Sequence, residues 1–306
     1  MNIAAKIASW IKDPKLIILT LGFHNLLNWI PDKPYLKMVY RFQTGQKLNI
    51  DDPRGFNEKL QWLKLYDRKS EYTQMVDKYG VRELIKEKIG EDYLIPLLGV
   101  WDRPEDIDIS ALPEQFVLKC THDSGSICIC RDKAAFDMDA AVKELRHRLK
   151  IGTYWPLREW PYKNVTPRVI AEKYMEDESG ELKDYKVLCF GGEPKLIEVH
   201  SGRYTSAHTQ DLYSPAWEKL DMAQDPELTS DFVCPKPDCL AEMLENSRKL
   251  AENIPMIRVD WYIINGRLYF GELTFFHGSG MDLFEDPEAE RMVGDWISLP
   301  EKTVTK

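Results

Sequence analysis

The sequence predicts an α/β protein of the α+β kind, with a helical N-terminal region followed by a strand-rich remainder. Three observations carry this. From residue 57 to 89 the apolar positions recur with a helical period. Two later segments, 116 to 131 and 257 to 276, read as β-hairpins. Between them the order runs strand, turn, strand, helix, strand. A chain of 306 residues with this pattern suits one compact body of two or three subdomains with ample core.

In the helical stretch, Tyr72, Met75, Val76 and Tyr79 follow the i, i+3, i+4, i+7 spacing, and Gly80 marks a bend before Leu84, Ile85 and Ile89. Asp77 and Lys78 fall off that stripe. "DYLIPLLGV" then reads as a strand, followed by the loop "WDRPEDIDISALPE". Phe116 to Cys120 and Ile127 to Cys130 are β-prone around a turn rich in Ser, Gly and Asp. A helix over 138 to 150 comes next, and "RVIAEKYM" returns as a strand. "DYKVLCF" turns at Gly191-Gly192 into "PKLIEVH". The breaker cluster "CPKPD" precedes a helix over 238 to 253 with Asp238 as its N-cap, and the 257 to 276 hairpin turns at Asn265-Gly266.

A net charge of -9 argues against nucleic acid as a partner, since phosphate binding draws its affinity from basic surface. The N-terminus lacks the residue order of a signal peptide. Residues 16 to 31 are apolar but include His24, Asn25 and Asn28, too short and polar a run to span a bilayer. An amphipathic N-terminal helix packed on the body is expected there, with peripheral membrane contact as the alternative. The six cysteines lack both a secretory framework and paired metal spacing, and Cys128 with Cys130 share one strand face as core thiols. A reduced, cytoplasmic protein is expected.

Three constellations could carry chemistry. The turn 121 to 126 offers backbone N–H groups, the hydroxyls of Thr121, Ser124 and Ser126, and a glycine, Gly125, that lets the backbone come close, which is what cradling a polyphosphate needs; Lys119 sits just before it. Taken alone, an ordinary surface hairpin is the plainer reading. Next, Asp260 and Glu272 lie on the two strands of the last hairpin, with Thr274 beyond, and could hold a hard cation against phosphate oxygens. Side chains alternate faces, so a two-residue Asn-Gly turn would separate the two carboxylates. A three-residue loop with a glycine bulge would unite them, on a face shared with Arg258 and Thr274. Third, Glu172 in "AEKYMEDESGELKDYK" could meet an adenine edge, and Lys186 with Asp184 shares one strand face that could turn into the same cleft, which an interdomain strand with surface acids would explain as well.

Together, "NEKLQWLKLYDR", "DKYGVRELIKEKIG", "LPEQFVLKCTHDSGS", "AEKYMED" and "RVDWYIINGRLYFGELTFFHGSG" resemble the ATP-grasp superfamily, and within it the TupA-like branch associated with teichuronopeptide and capsular polysaccharide synthesis. The resemblance runs from about residue 34 to 286. It implies a helical region over 1–110, a mobile lid subdomain over 111–175 and a larger mixed-sheet domain over 176–306. It implies ATP and Mg²⁺ as cofactors, with Lys78 and Lys119 on the phosphates, Ser124, Gly125 and Ser126 in the covering loop, and Glu172 with the backbone of Lys173 and Met175 on adenine. Asp260 and Glu272 would bind Mg²⁺. Thr274 stands where many members place Asn. Arg258, with Lys186, would lie at the phosphoryl being transferred. The implied reaction is ADP-forming carboxylate activation, joining a small-molecule or glycan carboxylate to an amine. "EVHSGRYTSAHTQDLYSPAW" offers Arg203, His200 and His208, beside Asp184, as substrate contacts, with a surface loop the plainer reading for the histidines. A glycosyltransferase using the formal DxD at Asp106-Ile107-Asp108 is the rival, and a non-catalytic nucleotide-binding protein a third reading.

Overall fold

The computed structural model describes residues 20–22, 24–178, 183–202 and 208–302. The helical stretch forms α1 (Asp32–Thr44), α2 (Phe56–Tyr66), α3 (Glu71–Val76) and α4 (Val81–Lys88). The 57 to 89 pattern therefore breaks twice. Asp67 leaves the helical region at φ -109°, ψ 78°, and Asp77 turns extended at ψ 112°. The Asp77 carboxylate accepts from the backbone N–H of Tyr79 at 3.0 Å, a local alternative to the helix ladder. Lys78 thus lies in a connection, where its own N–H reaches the Thr121 carbonyl at 3.0 Å.

The first sheet has order β1-β4-β2-β3, from β1 (Leu97–Trp101), β2 (Phe116–Cys120), β3 (Ile127–Cys130) and β4 (Val169–Lys173), all antiparallel. Strand alternation sends Phe116, Leu118, Cys120, Cys130 and Ala171 into a core shared with Leu145 of α5 (Met138–Arg148). Cys128 is half-buried on that side, and Ile127 and Ile129 point the other way, 46% and 44% exposed. The one-turn helix α6 (Tyr154–Leu157) follows α5.

The second sheet has order β7-β6-β5-β8-β9, from β5 (Asp184–Phe190), β6 (Glu193–Ser201), β7 (Thr209–Tyr213), β8 (Met256–Ile264) and β9 (Arg267–Thr274). Its central strand β5 is buried at every position. Helices α7 (Leu240–Leu250) and α8 (Pro287–Asp295) complete the fold, and the apolar faces of α1 to α4 bury into the same core as this sheet. This sheet is antiparallel throughout rather than mixed. A helical crossover between adjacent strands would give parallel neighbours, but α7 carries the chain from β7 past β6 and β5 and delivers β8 antiparallel. The cap of α7 also differs from expectation: Cys239, not Asp238, occupies the N-cap, without a side-chain bond. Of the helix expected on the apolar run 16 to 31, residues 16–19 and 23 lie outside the described ones; 20–22 are helical, but 24–30 run as turns and a bend, with Leu27 and Ile30 packed on the core. No helix among the described residues is long and apolar enough to cross a membrane.

The β8–β9 hairpin settles the register question in a way the turn alone would not. Ile264 pairs with Arg267, so Asn265-Gly266 is a two-residue turn, with φ of +51° and +77°. The register shifts between Val259 and Trp261, where Asp260 alone faces Gly271 and Glu272. This bulge within the strand, in place of an odd loop, restores the carboxylates to one side. A Cβ on Gly271 would lie 3.1 Å from the Asp260 carbonyl oxygen and 3.2 Å from Tyr262 Cε2. Gly271→Val is expected to cost about 1–3 kcal/mol by overpacking, read as a lowered denaturant midpoint at unchanged slope.

Candidate active site

A cleft of about 410 Å³ opens between the two sheets. The first sheet contributes Lys119, Ile127, Ile129 and Glu172 from its outward face, and the turn adds Asp123, Ser124, Gly125 and Ser126. From the second sheet come Asp184, Asp260, Tyr262, Phe270, Gly271 and Glu272, with Lys78, Arg82 and Leu94 at the edge.

Lys119 Nζ lies 2.9 Å from Glu172 Oε2, and Arg82 Nη1 lies 3.2 Å from Glu172 Oε1. Glu172 is only 8% exposed, and two cations with direct hydrogen bonds are what a carboxylate so placed requires. Gly125 supplies φ +90° at the turn. The Ser126 hydroxyl donates to the Asp123 carboxylate and accepts from the Cys120 N–H at 3.0 Å, so this side chain braces the turn. Lys78 Nζ bonds the Asp123 carbonyl and stands 3.9 Å from Glu272 Oε2, touching both walls. Met175 and Lys173 lie outside the cleft lining, and the Lys173 N–H is engaged by the Pro96 carbonyl at 3.0 Å.

On the other wall, Asp260 accepts from Arg258 Nε at 2.6 Å, Arg258 Nη2 at 2.7 Å and Lys186 Nζ at 2.8 Å. Lys186 stands directly opposite Asp260 across β5 and β8, and also bonds Asp184 at 2.7 Å. Burial alone would raise the Asp260 carboxyl, but Arg258 and Lys186 outweigh it and hold the group below the usual range. Arg258 Nη2 lies 3.3 Å from Glu272 Oε1, to which Thr274 donates at 3.4 Å. Asp260 and Glu272 are hard oxygen donors suited to Mg²⁺, which commonly takes one or two carboxylates and completes its shell with phosphate and water. Among the described residues no group of three His, Cys, Asp or Glu could hold an ion by itself.

Behind this wall lies a layer that sequence reasoning missed. Gly278, Ser279 and Gly280 all adopt positive φ, at +51°, +53° and +61°. Helix α2 latches this segment: Gln61 Nε2 donates to the Ser279 and Gly280 carbonyls at 3.0 and 2.7 Å, and Lys64 Nζ to the Ser279 carbonyl at 2.7 Å. Burial pushes the Lys64 ammonium down to about 8. The polar positions of "NEKLQWLKLYDR" thus hold the chain just beyond Glu272. The apolar cleft positions Ile127 and Ile129 had a usable signal, being the residues that alternate against Cys128 and Cys130. His277 had none beyond its place in "FFHGSG".

His200 is neither a loop residue nor exposed: it is the penultimate residue of β6, is 7% exposed, and bonds Glu198 through Nε2 and His208 Nε2 through Nδ1, the latter at 2.9 Å. Strand alternation puts it on the same face as the Glu198 carboxylate two residues away, in a stretch of β6 buried on both faces. Arg203 lies outside the described residues. Asp106 pairs with Arg103 at 3.0 Å and Asp108 accepts from the Ser110 N–H at 2.9 Å, so the DxD acids brace an exposed turn away from the cleft.

Two sheets close on one cleft, with Lys119 on the first, Lys78 in the connection beside it and paired carboxylates on the second, and the matching family makes this an ATP-grasp fold. The chain belongs to the TupA-like ATP-grasp family, whose model matches residues 58–298. Among solved structures it is similar to the D-alanine–D-alanine ligase of Bacillus anthracis complexed with ATP (15% identity, 66% of this chain, 54% of that one, TM-score 0.38). It is also similar to the corresponding Helicobacter pylori ligase (18%, 73% and 61%, TM-score 0.41) and to a RimK domain ATP-grasp protein of Sphaerobacter thermophilus DSM 20745 (12%, 74% and 69%, TM-score 0.41). The chain spans little more than half the length of the two D-alanine ligases. No curated protein matches it in sequence.

Proposed function

We propose that the protein is an ADP-forming carboxylate–amine ligase. The observation that carries the reading is the meeting of Lys78 and Lys119 with Asp260 and Glu272 in one cleft, Lys78 touching turn and carboxylate together. ATP would lie between the sheets, its base against Ile127, Ile129 and Phe270 with Glu172 at the adenine edge, and its phosphates under Ser124 and Gly125. The residues at Asp260 and Glu272 would hold Mg²⁺, which supplies neutralisation of the phosphate charge.

The acid's carboxylate oxygen attacks the γ-phosphorus, the bond from that phosphorus to the β-bridging oxygen breaks, and ADP leaves. The amine then attacks the acyl carbon, phosphate departs with the bonding pair of the C–O bond, and the amine's proton passes to solvent. Lys78, Lys119 and Arg258 disperse the charge of a loose phosphoryl transition state, and Lys186 holds Asp260 in place. The family association favours a uronic acid or peptide carboxyl as the acid and an amide in a surface polysaccharide as the product, made on the cytoplasmic side where ATP is supplied. Asp184, which lines the cleft, is the foremost of the proposed substrate contacts.

The test is trapping. Protein, ATP, Mg²⁺ and hydroxylamine are incubated with a panel of uronic acids and peptides. Acid-dependent ADP release with hydroxamate formation is expected, and its loss in Lys119→Ala with the fold retained. A double variant, Lys119→Ala with Glu272→Gln, that kept full activity would overturn the assignment.

A further inference from the structure

Arg258 is held by groups that a bound cation would claim. Three of its contacts end on Asp260 and Glu272, at 2.6, 2.7 and 3.3 Å. Oxygens that turn to a divalent ion have less to offer a guanidinium. One partner has no such competitor: Arg258 Nη1 lies 3.3 Å from His277 Nδ1.

The tautomer of His277 is fixed from both ends. A guanidinium only donates, so Nδ1 must be the bare, accepting nitrogen. On the far side, Gln224 turns its amide nitrogen to the Asp282 carbonyl at 2.8 Å, which can only accept. Gln224 Oε1 therefore faces His277 Nε2 at 2.7 Å as an acceptor, and Nε2 must carry the proton. Glu198 Oε2, which makes no hydrogen bond among the described residues, lies 3.4 Å from that same nitrogen and favours its N–H electrostatically. The other Glu198 oxygen is bonded to His200. His277 is 4% exposed, and burial pushes its imidazole down to about 4, consistent with a neutral ring.

We infer that His277, as a neutral Nε2–H imidazole backed by Gln224 and Glu198, is the positioning residue that aims Arg258 when the carboxylates are occupied by a cation. This rests on the ligase reading for the role of Arg258, but the hydrogen-bond orientation stands by itself. His277 touches no substrate; it acts through the guanidinium.

Two measurements test it. In long-range ¹H–¹⁵N spectra of histidine-labelled protein, one of the six histidines, assigned by its loss in His277→Gln, is expected to remain neutral with the proton on Nε2 from pH 5.5 to 8. An imidazolium or an Nδ1–H ring at pH 7 overturns the inference. In ADP release from ATP–Mg²⁺, His277→Ala is expected to lose about 100-fold in kcat at unchanged KM for ATP, the scale of a misplaced catalytic group. His277→Gln, whose amide oxygen can accept from Arg258, should recover to within about tenfold of wild type. Equal rates in all three proteins overturn the positioning role. A wild-type protein with neither ATP binding nor hydrolysis would instead strike the ligase reading, and the spectra would then decide the orientation alone.

Discussion

Glu272→Gln is expected to lower turnover about 10²- to 10³-fold while leaving the protein folded. The substitution keeps the size of the side chain and removes one negative charge from the carboxylate pair proposed to face the phosphates. Glu272 is the better of the two carboxylates to test because it is the freer: its side chain is 35% exposed against 4% for Asp260. Asp260 is also the counter-charge of both Arg258 and Lys186, so Asp260→Asn leaves two buried cations short of a partner and should unfold at lower denaturant. The pair of variants separates chemistry from stability. Steady-state ADP release together with urea unfolding checks it: loss of rate at an unchanged midpoint for Glu272→Gln, loss of both for Asp260→Asn.

The largest expected effect on stability comes from a residue outside the cleft lining. Arg158 is fully buried in a left-handed backbone conformation, with φ +55°, and its guanidinium carbon lies 4.1 Å from the ring centre of Tyr35 and 4.9 Å from that of Trp155. It donates to the carbonyls of Trp155, Leu27 and Ile30 at 2.9, 3.2 and 3.2 Å, and its Nε stands 3.2 Å from Asp32. Arg158→Ala strands these acceptors and opens a cavity among aromatic rings, an expected loss of about 3–5 kcal/mol. A lysine has no planar fork to reach three carbonyls and stack at once, so Arg158→Lys should recover little of it. Thermal melting of the two variants checks this, with a drop of roughly 10 °C expected for each. ATP–Mg²⁺ should still raise the melting temperature of the folded fraction, since Arg158 does not line the cleft.

Much of the strand layout was legible because alternation is a local signal. Phe116–Cys120, Ile127–Cys130 and Asp184–Phe190 lie where their β-prone residues predict, and the exposed isoleucines follow from the same alternation. What escaped depends on contacts between distant parts of the chain. The β8–β9 bulge at Gly271 cannot be seen from the Asn-Gly turn, since the turn does not fix where along the hairpin a bulge falls. The helical period hid the break that puts Lys78 beside the turn 121 to 126, because that break is stabilised by the Thr121 carbonyl some forty residues away. His200 looked like a loop residue because the burial of Glu198, its partner on the same strand face, depends on the rest of the sheet. The family resemblance drew the site residues together before their geometry was known; the layer behind them, His277 with Gln224 and Lys64 with Ser279, required the fold.

The central claim is that ATP and Mg²⁺ occupy the cleft between the sheets through Lys119. Thermal melting of wild type and Lys119→Ala, with ATP–Mg²⁺ and separately with UDP-sugars and Mn²⁺, tests it most directly. A ligand at a hundred times its Kd stabilises the native state by about 2.7 kcal/mol, several degrees for a chain of this size. The account predicts that rise with ATP–Mg²⁺ in the wild type and its loss in Lys119→Ala; stabilisation by a UDP-sugar alone, or equal stabilisation of both proteins by ATP–Mg²⁺, would contradict it.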